Sequence, residues 1–162
     1  MTLVTGIPAL DLVNTEWWRG RPDKAVDKLP DFAAAYHLGP PPRELAELRA
    51  LLRRLIEKPT DADRRRLASF VGRGVLRRRL VGAEVVLEPV TRDWDTALSE
   101  IASSFVPLLA DSSRLRICAN HECQWTFVDE SRNHSRRWCG ASSCGNADKV
   151  RRFRARQRAA SA

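Results

Sequence analysis

The first 117 of the chain's 162 residues contain no cysteine. Disulfides are therefore excluded from the larger part of the molecule, which must fold on a buried apolar core. Long hydrophobic runs are missing too. No stretch approaches the roughly 20 apolar residues of a membrane span. The opening segment through Trp18 has neither a charged n-region nor a continuous apolar h-region, which argues against a secretory signal. A soluble, cytoplasmic protein with no membrane partner is the expectation. No internal repeat and no low-complexity tract is present, which removes repeat architectures. Lysine is scarce, 4 residues against 24 arginines, a bias that GC-rich coding also produces, so arginine content alone identifies no partner. Also absent are a nucleophile–base pair, a glycine-rich phosphate loop and an open metal site. Those absences argue against an enzyme.

What is present is unevenly distributed. Residues 112–162 carry 11 Lys+Arg against 4 Asp+Glu, whereas residues 1–111 carry 17 against 16. A near-neutral body with a basic tail is the asymmetry expected when one end meets a polyanion. An apolar fraction of 43% is enough to bury a core in the first part. Two domains are expected, a helical one over 1–111 and a metal-stapled module over 112–162.

Periodicity places the helices. Asp31 reads as the cap of a short helix carrying Phe32, Ala35, Tyr36 and Leu38, stopped by Gly39–Pro42. Arg43 to Lys58 is the clearest helix, with Leu45, Leu48, Leu52 and Leu55 at three- and four-residue steps. Thr60 and Asp63 start another that carries Leu67, Phe70 and Val71. Val81 to Val90 reads as a strand, paired as a hairpin with 75–80. Thr91 or Asp93 opens a last helix lined by Trp94, Leu98, Ile101, Phe105 and Leu108, which Pro107 should kink or shorten. Near the start, Asp11, Asn14, Trp17, Trp18 and Arg19 can line a polar-aromatic ligand pocket. The alternative makes the tryptophans core and gives Asp11 and Asn14 to caps and turns.

All four cysteines, Cys118, Cys123, Cys139 and Cys144, fall within 27 residues, spaced C-x4-C-x15-C-x4-C. Without a secretory signal, such clustering favours metal over disulfides. Two ligand pairs on two tight turns suit tetrahedral Zn2+, and four thiolates leave no position for a nucleophilic water, so the metal is structural. His121 and His134 read as surface residues. The first pair lies between the strand-like runs 115–117 and 125–128. The second precedes a helix starting near Gly145 or Asn146. Knuckle, hairpin and ligand at a helix start is the order of a treble-clef finger.

The final helix carries Lys149, Arg151, Arg152, Arg154, Arg156 and Arg158, with Arg136 and Arg137 upstream. At about 100° per residue, Val150, Phe153 and Gln157 share one edge, on which the helix should dock, with basic rows to either side. The acids that normally intersperse a solvated face are missing, so the eight basic residues read as a phosphate-contacting surface. The competing reading pairs them with acids such as Glu47, Asp61 or Asp63.

The segments Cys118, Cys123-Gln124-Trp125, Phe127-Val128-Asp129, Ser131-Arg132-Asn133, Ser135-Arg136-Arg137-Trp138-Cys139 and Cys144-Gly145-Asn146 resemble the CGNR zinc-finger family of bacterial proteins. Ala9 through Thr15, Asp31-Phe32-Ala33 and the leucine-rich helix resemble the ABATE domain that usually precedes that finger. The resemblance implies a transcription regulator with the finger as its DNA-binding element. One departure is Ala147, which stands where the family has its name-giving arginine. The combined expectation is a mainly α fold with a small β-hairpin and a C-terminal treble-clef-like zinc module held by four cysteines. Functionally it is a zinc-containing DNA-binding regulator, responsive to a small-molecule effector through its N-terminal domain and associating as a homodimer. The alternative is an auxiliary or catalytic protein of a biosynthetic pathway, or a zinc-stabilised protein-interaction or RNA-binding module.

Overall fold

Leucine spacing organises the first part of the chain. Helix α3 (Arg43–Glu57) buries Leu45, Leu48, Leu51, Leu52 and Leu55 on one face and turns its arginines outward. The computed structural model describes residues 5–160. They divide into two compact units: one runs to Thr15 and resumes over Lys28–Ser112, the other joins Glu16–Asp27 to the chain from Ser113 onward.

In the first unit, α1 (Pro8–Val13), α2 (Leu29–Ala34), α3, α4 (Asp61–Val71) and α5 (Trp94–Ala110) supply the core. Helices α1, α3 and α4 each pack on α5 through residues such as Leu98, Ile101 and Phe105. Pro8 opens α1, where a missing N–H costs nothing. The α1 backbone is then tied down by its neighbours. Ala9 N–H donates to the Ser104 hydroxyl at 3.0 Å, and the Arg53 guanidinium donates to the Val13 carbonyl at 3.0 Å. Thr60 caps α4 by accepting from Asp63 N–H at 3.1 Å, and Asp93 caps α5 by accepting from Thr96 N–H at 2.9 Å.

Three expectations change. Helix α2 begins at Leu29 with Lys28 as its cap, so Asp31 lies inside the first turn, 3.2 Å from the Lys28 ammonium. Pro30 is tolerated there because first-turn N–H groups have no helical partner. Pro107 does not shorten α5, which runs on to Ala110. The proline falls in the closing turns, where little helix remains to be broken. The third change is in the hairpin, whose strands are β3 (Leu76–Val81) and β4 (Glu84–Pro89), joined by Gly82–Ala83. Gly82 has φ +60°, a conformation that favours glycine, so the turn falls there and Val81 ends the first strand. One face of this hairpin exposes Leu76, Leu80, Val85 and Leu87, while on the other Arg77 and Arg79 pair with Glu88 at 2.7 and 2.6 Å. The α3 leucines are core, so they offer no surface for the expected homodimer. The exposed apolar surface of this unit lies largely on the hairpin.

The second unit holds two short ribbons, β1 (Glu16–Trp17) with β2 (Val26–Asp27), and β5 (Leu115–Ile117) with β6 (Thr126–Val128), followed by α6 (Asn146–Ala160).

Candidate metal centre and nucleic-acid interface

The β5–β6 pairing matches Leu115 with Val128 and Ile117 with Thr126, which closes a hairpin over residues 118–125. Its tip turns back on Asn120, whose carbonyl accepts from Cys123 N–H at 2.9 Å and Gln124 N–H at 3.1 Å. Gln124 takes φ +52° to complete the reversal, and the turn brings Cys118 and Cys123 to one side. The second pair is set by a single π-type turn, Ala141–Gly145, closed by Gly145 N–H to the Gly140 carbonyl at 3.0 Å. Such a turn brings residues five apart, here Cys139 and Cys144, over one another.

The four sulfurs lie within 4.8 Å of one another. Cys123 Sγ is 3.8 Å from Cys139 Sγ, and Cys139 Sγ is 3.7 Å from Cys144 Sγ. A tetrahedron with Zn–S bonds near 2.3 Å has edges of about 3.8 Å, so the spacing and the donor set both fit Zn2+. None of the four is in a disulfide. The cluster calls for a cation. A hydrogen bond from Cys139 pulls the Cys123 thiol down, while Cys123 pushes Cys139 up and burial pushes Cys144 up. Four thiolates this close repel one another until a divalent ion neutralises them. Zinc is the structural cofactor, held by a closed shell.

Two supports around the sulfurs were not legible as such in the sequence. Asn120 is buried at 5% exposure, accepts from Glu122 N–H at 3.2 Å and directs its amide to Cys144 Sγ at 3.5 Å. It thereby joins the two ligand turns. An Asn inside a ligand turn is an Asx-turn signal that could have pointed to it. Asp129 is fully buried and accepts from the Ser131 hydroxyl at 2.6 Å, Ser131 N–H at 2.9 Å and Arg136 N–H at 2.8 Å. The Ser131 hydroxyl is the main reason that its carboxyl is held below the usual range. Arg136 lies 4.8 Å over the Phe127 ring and donates to the carbonyls of Trp138 and Cys139. Its guanidinium thus braces the third ligand.

The ligand pocket expected near the chain start is divided between the units. Asp11 and Asn14 are buried in α1 and at its C-terminal cap. Trp17, Trp18 and Arg19 belong to the zinc unit, where the tryptophans are 42% and 41% exposed and so are not core. Trp17 meets Trp125 edge-on at 6.2 Å. Gly20 N–H donates to the Glu122 carbonyl at 3.1 Å, and a Cβ on Gly20 would stand 1.6 Å from the His121 carbonyl oxygen. Arg21 reaches Glu122 at 3.7 Å. Residues 16–27 are thus a strap seated on the zinc knuckle.

Helix α6 follows the fourth ligand directly and buries none of its residues. The docking edge expected at Val150 and Phe153 is open, with 39% and 55% of these residues exposed. Asp148 pairs with Arg151 at 2.7 Å and Arg152 at 2.8 Å. Lys149, Arg154, Arg156 and Arg158 have no acidic partner among the described residues. Arg137 lies 5.2 Å over the Trp138 ring. The acids named as competing partners are occupied in the first unit: Glu47 by Arg43 and Arg66, Asp61 by Arg64, and Asp63 by Arg54.

A knuckle, a ligand-bearing turn and a helix closed on four thiolates define a treble-clef-like zinc finger attached to a helical domain. The chain belongs to the ABATE family, described as "Putative stress-induced transcription regulator", which matches residues 6–112. Residues 114–157 match the CGNR zinc finger. A comparison with the curated proteins gives no match. Among the described residues no helix is long and apolar enough to cross a membrane.

Proposed function

We propose that the protein is a DNA-binding transcription regulator whose zinc centre holds α6 out as a basic rod against the phosphate backbone. The observation that carries this reading is the state of α6. It is exposed along almost its whole length, and Lys149, Arg154, Arg156 and Arg158 meet no carboxylate among the described residues. Arg151 and Arg152 share Asp148 and contribute part of their charge; Arg136 and Arg137 sit beside the zinc turn. The regulator family to which the chain belongs points the same way. Binding to genomic fragments at two salt concentrations tests it. Affinity should fall steeply with salt, and Arg154→Ala and Arg158→Ala should each lower the log–log salt slope by about one unit. No binding by the parent at low salt would remove the reading.

Response to an effector belongs, on this reading, to the first unit. A hollow of about 160 Å³ there is bordered by Tyr36, Thr91, Asp93, Thr96 and Glu100. Tyr36 stacks against Trp94 at 5.8 Å, and burial, with Glu100 and Asp11, pushes its phenol up to about 12, so it stays a neutral donor. A small polar ligand with an acceptor for the Tyr36 hydroxyl and a donor for the Glu100 carboxylate suits this hollow. A thermal-shift screen of small polar metabolites should find one that raises the parent's Tm and not that of Glu100→Gln; a screen with no such compound counts against it.

A further inference from the structure

Between the two basic rows of α6 runs a strip with different chemistry. Asn146, Val150, Phe153 and Gln157 recur at steps of four, three and four residues, which places them along one edge of the helix. Lys149 and Arg156 flank that edge on one side, Arg154 and Arg158 on the other. All eight side chains are exposed, and Phe153 is 55% exposed in the middle of a charged helix. Among the described residues nothing covers this ring, because α6 buries none of its residues.

We infer that this strip reads base edges in the major groove of duplex DNA and favours A·T pairs. The inference rests on the DNA-binding reading above and adds what is recognised. A helix with its side chains is about 10–12 Å across, and the major groove is about 12 Å wide. A helix lying in it turns its two flanking rows toward the two phosphate strands and the strip toward the groove floor. On that floor the carboxamides of Asn146 and Gln157 match the N7 acceptor and N6 donor of adenine. Val150 and Phe153 match the C5 methyl of thymine. The strip holds no Asp or Glu for cytosine, and the arginines that would read guanine stand on the flanks, where phosphates compete for them. Ala147, on the Arg154 side, adds only another methyl.

The test uses the full, zinc-loaded chain and fluorescence anisotropy at low and at physiological salt. Three duplexes of equal length serve as probes: an A·T-rich one, a G·C-rich one, and the A·T-rich one with uracil in place of thymine. Uracil keeps the pairing and removes only the major-groove methyl. The A·T duplex should bind on the order of tenfold tighter than the G·C duplex, and the uracil duplex several-fold more weakly than its thymine parent. Phe153→Ala should shrink the uracil penalty while leaving the salt slope unchanged, because it touches no phosphate contact. Its zinc content and circular dichroism should equal the parent's; Val150→Ser replaces it if they do not. Equal affinity for all three duplexes with a steep salt slope overturns the base reading and leaves the DNA-binding proposal standing. No duplex binding at low salt overturns both. Tighter binding to single-stranded RNA than to every duplex also overturns the inference.

Discussion

The two units hold together by different means. The first buries leucine, isoleucine and phenylalanine side chains from several helices around α5. The second has a buried cluster of Cys118, Phe127 and Cys144, with Cys123, Trp125, Trp138 and Cys139 packed against it, so all four ligands belong to its core. A leucine core is divisible. Each side chain adds its own share, and losing one leaves a cavity of limited cost. A metal core is not divisible, because three thiolates around a divalent ion do not supply three quarters of the folding energy. Damage to the first unit should therefore be graded, and damage to the second nearly all-or-none.

The largest expected effect follows from the ligands. Cys→Ser at position 118, 123, 139 or 144 should unfold the zinc unit while α1–α5 keep their helicity, since structural zinc contributes about 10–16 kcal/mol of apparent binding energy. Elemental analysis and circular dichroism read both halves; simultaneous loss of all helicity would break the contrast. Next comes Leu52→Ala, with Leu52 fully buried in α3. It should cost the first unit about 2–5 kcal/mol by cavity formation and leave zinc content unchanged, as measured by denaturant titration with a zinc assay. Gly20→Ala should be somewhat milder, about 1–3 kcal/mol from overpacking against the His121 carbonyl. It should lower the melting temperature of the zinc unit although it lies far from the ligands in the sequence. A fall in the first unit's melting temperature instead would remove the strap from the zinc unit's account.

Acid sharpens the contrast with the smallest perturbation. Zinc-bound thiolates must stay deprotonated, so lowering the pH releases the metal and its unit with it. In the first unit, Asp63 is held below the ordinary 3.8 by the Thr60 hydroxyl and Arg54, and Asp93 by Thr96 N–H and its threonine neighbours. A carboxylate depressed by folding contributes stability that is present above its unfolded value and lost only as pH falls through the folded one. Between about pH 4 and 5 the first unit should remain folded after the second has released its zinc. A chromogenic zinc reporter and ellipticity followed together from neutral pH downward check this; a single shared transition would contradict it.

Parts of this molecule were legible in the sequence because local chemistry leaves few options. Leu45, Leu48, Leu52 and Leu55 can be buried together only on one helix face, and they are. Thr60 with Asp63 marks a helix start wherever it stands. Four cysteines in two equally spaced pairs announce a tetrahedral metal, and the sulfurs converge. The hairpin was legible as a pair of strands, but the positive-φ Gly82 sets the reversal, so Val81 ends the first strand instead of starting the second.

Composition and spacing by themselves determined helices α3, α4 and α5, the clustered cysteines and the basic helix, since each depends on neighbours a few residues away. Tertiary structure alone decided that residues 16–27 leave the helical unit to seat on the zinc knuckle. That choice is made by the Gly20 N–H bond to the Glu122 carbonyl and by a hydrogen atom where any larger side chain would collide. It alone also decided that Asn120 and Asp129 brace the metal turns and that the Val150–Phe153 edge stays open. Backbone contacts between distant segments, and the absence of a packing neighbour, leave no periodicity or spacing in a sequence. They exist only once the chain has closed on itself.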